Sequence, residues 1–166
     1  MPFTPFHFGP GFFVKSIFPK RFSFKIFILA NIITDTEPLY FILTNQYPLH
    51  RFFHTYLGAT FIAVVCIAFG RPICHWGTNT WNIVFKTFKM NNDRIPDTAL
   101  VISAFIGTYS HVFLDSIMHR DITPFYPFNS SNGLLHSLSY AQLHLFCVLA
   151  VIAGGIIYVT KNLRKH

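Results

Sequence analysis

The sequence predicts an all-α membrane protein with four transmembrane helices and a short N-terminal helix that is either re-entrant or interfacial. Three observations carry this. The 166-residue chain is 52% hydrophobic and only 11% charged, whereas a soluble domain carries roughly 25% charged residues. A surface that poor in charge suits lipid. Next, several apolar runs approach the roughly 20 residues that a helix needs to cross a bilayer. Lastly, the basic residues flank those runs instead of forming a patch interleaved with aromatics, so nucleic acid is not an expected partner despite the net charge of +7. The length suits a single domain.

The elements follow in order. Phe3–Phe18 is apolar and aromatic but too short to span, with Pro10 and Gly11 suited to a turn or helix start. Its basic residues follow the apolar stretch, so no cleavable leader is expected. The first span covers about 22–43 and tolerates Asn31, Asp35 and Glu37; Pro38 predicts a break or kink there. The second covers about 52–69. A polar middle loop, 71–96, contains Trp76 and Trp81 and suits a short amphipathic helix on the membrane surface. The third and fourth spans cover about 99–118 and 138–159. Any one of these runs would also suit a buried helix of a soluble protein.

Charge sets the orientation. Lys15, Lys20, Arg21 and Lys25 precede the first span, Arg71, Lys86, Lys89 and Arg94 lie in the middle loop, and Lys161, Arg164 and Lys165 follow the last. Only Arg51 and Arg120 occupy the other two loops, a ratio of eleven to two. The positive-inside rule therefore predicts cytoplasmic termini and a cytoplasmic middle loop.

Against this background the ionisable residues in the spans are expensive and point to function. They are Asp35 and Glu37; His50 and His54; and His111, Asp115 and His119. The i, i+4 spacing of His50 with His54, and of His111, Asp115 and His119, puts each set on one helix face. Paired imidazoles one turn apart can converge on a metal ion. Counting about 1.5 Å per residue from the basic end, Asp35, His54, His111 and Asp115 fall in one layer about 20–27 Å up. His7 joins that layer if Phe8–Phe18 is a half-helix entering the bilayer. Metal binding, structural hydrogen bonding between helices and an ion or proton pathway are all compatible with the pattern. Cys66, Cys74 and Cys147 form no CxxC pair and imply no disulfide framework.

The order of motifs also carries a resemblance. It runs from His7 through Asp35–Thr36–Glu37, His50-Arg51-Phe52-Phe53-His54-Thr55, Gly107 and Ser110-His111-Val112-Phe113-Leu114-Asp115 to Pro124-Phe125-Tyr126-Pro127-Phe128. This resembles the membrane-bound metal-dependent hydrolases of bacterial inner membranes, a family distantly similar to zinc-dependent phospholipase C. The resemblance implies a metal-dependent hydrolase with motif positions at His7, Asp35, His50, His54, His111 and Asp115. His119 fits a subset of the family.

The expected cofactor is a divalent metal, zinc foremost, with iron or manganese as alternatives and two or more ions in view of the number of ligands. Glu37 is the expected general base, and Arg51 the expected phosphate-binding residue. The expected substrate is a phosphoester or other ester of a membrane lipid or lipid-linked molecule. The alternative function is a transporter of metal ions or protons, or a scaffold with a structural polar or metal site.

Overall fold

The computed structural model describes residues 5–164, and these are helical with no strand among them. A 3-10 turn, Pro5–His7, leads into α1 (Phe8–Ile17). The longer helices are α2 (Phe24–Leu43), α3 (Tyr56–Val84), α4 (Asp97–Met118) and α5 (Tyr140–Leu163). Each of these four is long and apolar enough to cross a membrane, and the chain is a multi-pass membrane protein.

Helix starts are written in the sequence. Ser23 and Thr55 accept hydrogen bonds from the amides of Ile26 and Gly58, and Ser139 forms a reciprocal capping box with Gln142. Each satisfies amide groups that the first helical turn leaves without intrahelical partners.

α2, α3 and α4 pack around Ile26 and Ala30, Ile62, Ala63 and Cys66, and Leu100 and Ala104. Small residues let the helices approach, as helix association in lipid favours. A Cβ on Gly107 would stand 2.8 Å from the Ala30 side chain and 3.2 Å from the Phe27 carbonyl. α5 meets α4 through Leu143 against Leu114 and Ile117, and is otherwise the most exposed of the four, with 17% of its apolar window buried. Leu145, Leu149, Ile152 and Ile156 on α5 present a lipid-facing surface.

α1 has 10 residues, or about 15 Å, half a bilayer core. It lies on α5, where a Cβ on Gly9 would stand 2.4 Å from the Cys147 carbonyl oxygen. Its C-terminal carbonyls are capped by Lys161, whose Nζ donates to Ser16 and Ile17 at 2.9 Å each. Lys15 ties the following turn by donating to Pro19 and Phe22. The half-helix therefore runs alongside α5 from the end bearing His7 to the end bearing the lysines.

Three local expectations need correction. The second span does not begin at residue 52. Phe52–His54 is a 3-10 turn and α3 starts at Tyr56, because Glu37 accepts the backbone amides of Arg51 and Phe53 and holds that stretch out of helical register. Nor does that helix end near Phe69. α3 continues to Val84, so Trp76 and Trp81 lie on it and not on a separate surface helix. At 29 residues it is about 44 Å long, more than the bilayer core of about 30 Å. Its far end is tied down where Lys25 Nζ donates to Thr78 Oγ1 at 2.9 Å. Finally, α2 continues through Pro38 to Leu43 with no break.

Candidate metal centre

The ends of α2 and α4 and the starts of α1, α3 and α5 meet at one end of the bundle, opposite the basic loops. There the structure gathers His7, Asp35, His50, His54, His111 and Asp115, all buried, with His119 half-buried at the rim.

Asp115 is the hub. Its Oδ2 lies 3.0 Å from His111 Nε2 and 3.5 Å from His54 Nε2. Its Oδ1 lies 3.0 Å from His7 Nε2 and 3.9 Å from His119 Nε2. Asp35 Oδ1 stands 3.2 Å from His111 Nε2 on the Oδ2 side. The His7 ring stacks on His111 with centroids 4.6 Å apart.

Two sets of donors result. Asp35, His54, His111 and Asp115 each offer one atom, all within 4.8 Å of one another, and so do His50, Asp115 and His119. Asp115 belongs to both sets, so its two oxygens can serve two neighbouring cations.

Three of the imidazoles are held from behind. His111 Nδ1 lies 2.9 Å from Asn31 Oδ1. The Asn31 orientation is fixed because its Nδ2 donates to the Phe27 carbonyl at 2.8 Å. His54 Nδ1 lies 3.3 Å from Glu37 Oε2, and His50 Nδ1 lies 3.0 Å from Asp121 Oδ1. Each of these partners accepts only, so each Nδ1 carries the proton. In their neutral form, His54 and His111 turn unprotonated Nε2 atoms towards the carboxylates of Asp35 and Asp115.

Lone pair faces lone pair in that arrangement, and a buried polar atom without a hydrogen bond costs about 1–3 kcal/mol. His54 Nε2, His111 Nε2 and His119 Nε2 are all buried and make no hydrogen bond of acceptable geometry. A cation in the first donor set would satisfy His54 and His111 Nε2, and one in the second would satisfy His119 Nε2. Ligating histidines held through the other ring nitrogen by a carboxylate or carbonyl group are the usual outer layer of a metal site.

Outside the spans, burial and the neighbouring His54 and His119 push His50 down to about 4. Burial likewise lowers His119. Both are therefore uncharged and available as ligands at neutral pH. Burial alone would raise Asp121, but His50 and two backbone amides hold it below its ordinary value.

The structure distributes the sequence-derived residues unevenly. His50 and His54 do come together, with ring centroids 4.6 Å apart, but not by helical i, i+4 spacing, since neither lies on α3. His111 and Asp115 do share a face of α4, and His119 caps its end. Glu37 lies behind His54, its carboxylate occupied by two backbone amides and Nδ1. Arg51 is exposed; its Nε donates to the Pro48 carbonyl at 3.0 Å, and its guanidinium lies 3.6 Å above the Phe41 ring.

Two residues carry roles that the sequence reading did not give them. Asn31 was visible only as a polar residue in a span. Asp121, a loop residue outside any spacing pattern, accepts the amides of Leu49 and His50 as well as His50 Nδ1. A signal for it existed: of six acidic residues only Asp93 and Asp97 lie near the basic loops, and Asp121 is one of the other four.

No family model matches this chain, and neither a curated protein nor a solved structure does.

Proposed function

We propose that this protein is a metal-dependent hydrolase of the bacterial inner membrane, acting on a phosphoester or other ester of a lipid or lipid-linked substrate. The carrying observation is the pair of donor sets sharing Asp115, with His54 and His111 Nε2 aimed at carboxylates and left without hydrogen bonds. The eleven-to-two bias of basic residues supports cytoplasmic termini, with the cluster in the outer half of the bilayer.

The donors, four imidazoles and two carboxylates, fit zinc, iron or manganese. Asp35, His54, His111 and Asp115 would hold one ion, and His50, Asp115 and His119 a second. Bound there, a metal pair supplies Lewis acidity and a bound water whose pKa falls to about 7.

The chain's own residues do the rest. Glu37, Asn31 and Asp121 keep the Nδ1 protons in place, so that Nε2 stays a ligand. Glu37 is thus a positioning residue in this reading and not the general base. The buried walls exclude water from every side but the rim, where His119 is half-buried. Arg51 is exposed at the same end and suits the anionic part of a substrate.

Transport would need access from both faces. Beneath Asn31, α2, α3 and α4 meet in the apolar layer of Ile26, Ala30, Ile62, Ala63, Cys66, Leu100 and Ala104. That layer favours a site reached from one side.

The test uses purified protein reconstituted in proteoliposomes with bacterial lipid extract. Hydrolysis predicts product release that needs added divalent metal and is abolished in Asp115→Ala. Metal or proton flux across the vesicle wall that stops in Asp35→Asn, without product, would establish the transport alternative instead.

A further inference from the structure

Beside the histidine cluster, α5 and the N-terminal turn border two adjacent apolar spaces. The outer one is a groove of about 260 Å³ bounded by Phe6, Cys147, Val148, Val151 and Ile152. The inner one is a crevice of about 10 Å³ bounded by Phe6, His7, Leu114, Met118, Leu143, His144 and Cys147. That is about the room of one water molecule. Phe6 and Cys147 belong to both. His7 closes the inner end, and its Nε2 is 3.0 Å from Asp115 Oδ1.

The groove's position limits what can fill it. Cys147 and Ile152 lie about 10 and 18 Å along α5 from Tyr140, the end that carries the cluster. The surrounding α5 surface is apolar and exposed at Leu145, Leu149 and Ile156. At that depth in a membrane the available occupant is hydrocarbon. Phe6, an exposed aromatic ring that borders both spaces, is set edge-on to His144 with centroids 4.5 Å apart. An ionisable residue, His7, in the crevice next to an apolar, lipid-side groove distinguishes the pair from ordinary helix packing.

We propose that the groove holds a hydrocarbon chain of a phosphate-bearing membrane lipid, whose headgroup enters the cluster sideways from the bilayer past Phe6. This rests on the hydrolase reading and names its substrate class: a long-chain lipid, not a water-soluble ester. Phe6 swings from His144 to admit the headgroup, while the chain stays along Val148, Val151 and Ile152. One face of α5 thereby selects for chain length, and the His7 end selects for the anionic head.

The experiment separates the groove from the reaction. The full chain is reconstituted, with added divalent zinc, in phosphatidylcholine vesicles with a phosphatidic acid carrying a diazirine in its acyl chain, or with the diacylglycerol carrying the same chain. After illumination, adducts are mapped by peptide mass spectrometry. Phosphatidic acid is expected to label Phe6 and the 147–152 stretch several-fold more than the neutral probe does. That excess should disappear in Val151→Trp and Val148→Trp, which fill the groove from exposed positions. Equal labelling by both probes, or labelling no greater there than at Leu145, Leu149 and Ile156, overturns the proposal. Phosphate-dependent labelling without product supports the groove and counts against hydrolysis. Product without phosphate-dependent labelling overturns the groove and leaves hydrolysis standing.

Discussion

Asp115 carries more of this site than any other side chain, because each of its oxygens faces a different group of imidazoles. The residues behind the imidazoles matter in a different way. Glu37→Gln, Asn31→Leu and Asp121→Asn each remove or weaken the acceptor that holds an Nδ1 proton. Each is expected to lower metal affinity about 10–100-fold, measured by competition with a chelating dye, while the protein still inserts. Unchanged affinity in all three would show that the rings are held by packing alone.

A pH effect follows from His50. Its folded value is lowered from 6.5 to about 4, so between those values the unfolded chain binds more protons than the folded one. Stability is then complete above pH 6.5 and is lost as pH falls towards 4. In metal-free protein the detergent melting midpoint should drop over that window, with burial of His119 acting in the same direction. His50→Asn should flatten the drop, and an equal drop in that variant would assign it elsewhere.

At the scale of elements, the sequence made the layer legible but not the local geometry. Counting residues along alternating spans put Asp35, His111 and Asp115 at one depth because helical rise is constant and the spans alternate in direction. Length alone made α1 too short to cross and left re-entrant and interfacial arrangements open; its place alongside α5, with Lys161 capping its end, rests on partners distant in the chain. The 3-10 turn before α3 was not legible, because Glu37, from a different helix, captures its amides, and spacing within a segment cannot reveal a partner in another. The same reason hid Asp121, whose contacts with Leu49 and His50 cross 71 or 72 positions. The continuation of α3 past Phe69 is not legible in the sequence because polar residues there suit a loop, whereas Thr78 and Thr80 bond back to carbonyls within the helix.

The α1–α5 contact offers a direct test at this scale. A Gly9→Val side chain would meet the Cys147 carbonyl, with even its Cβ at 2.4 Å, and push α1 off α5. The expected result is faster amide hydrogen exchange throughout 8–17 and lower bound metal, since His7 is carried on that segment. Normal exchange and full metal content would mean that His7 reaches the cluster without α1 docking.

For the whole molecule, the distribution of charge and of the cluster yields an asymmetric membrane protein, basic at one end and carrying the buried His/Asp cluster at the other. Topology reporters fused at His166 and inserted near Asn129 should report the first as cytoplasmic and the second as external. The reverse result would turn the cluster towards the cytoplasm and exclude outer-leaflet substrates. The most direct measurement is the metal content of detergent-purified protein by inductively coupled plasma mass spectrometry, for the parent and three variants. About two divalent ions per chain are expected in the parent, as in two-metal sites with ions about 3.5–4 Å apart. His54→Ala and His119→Ala should each retain about half of the parent's metal, and Asp115→Ala almost none. A parent with no metal above background, or an Asp115→Ala variant that keeps all of it, would contradict a metal centre built on Asp115.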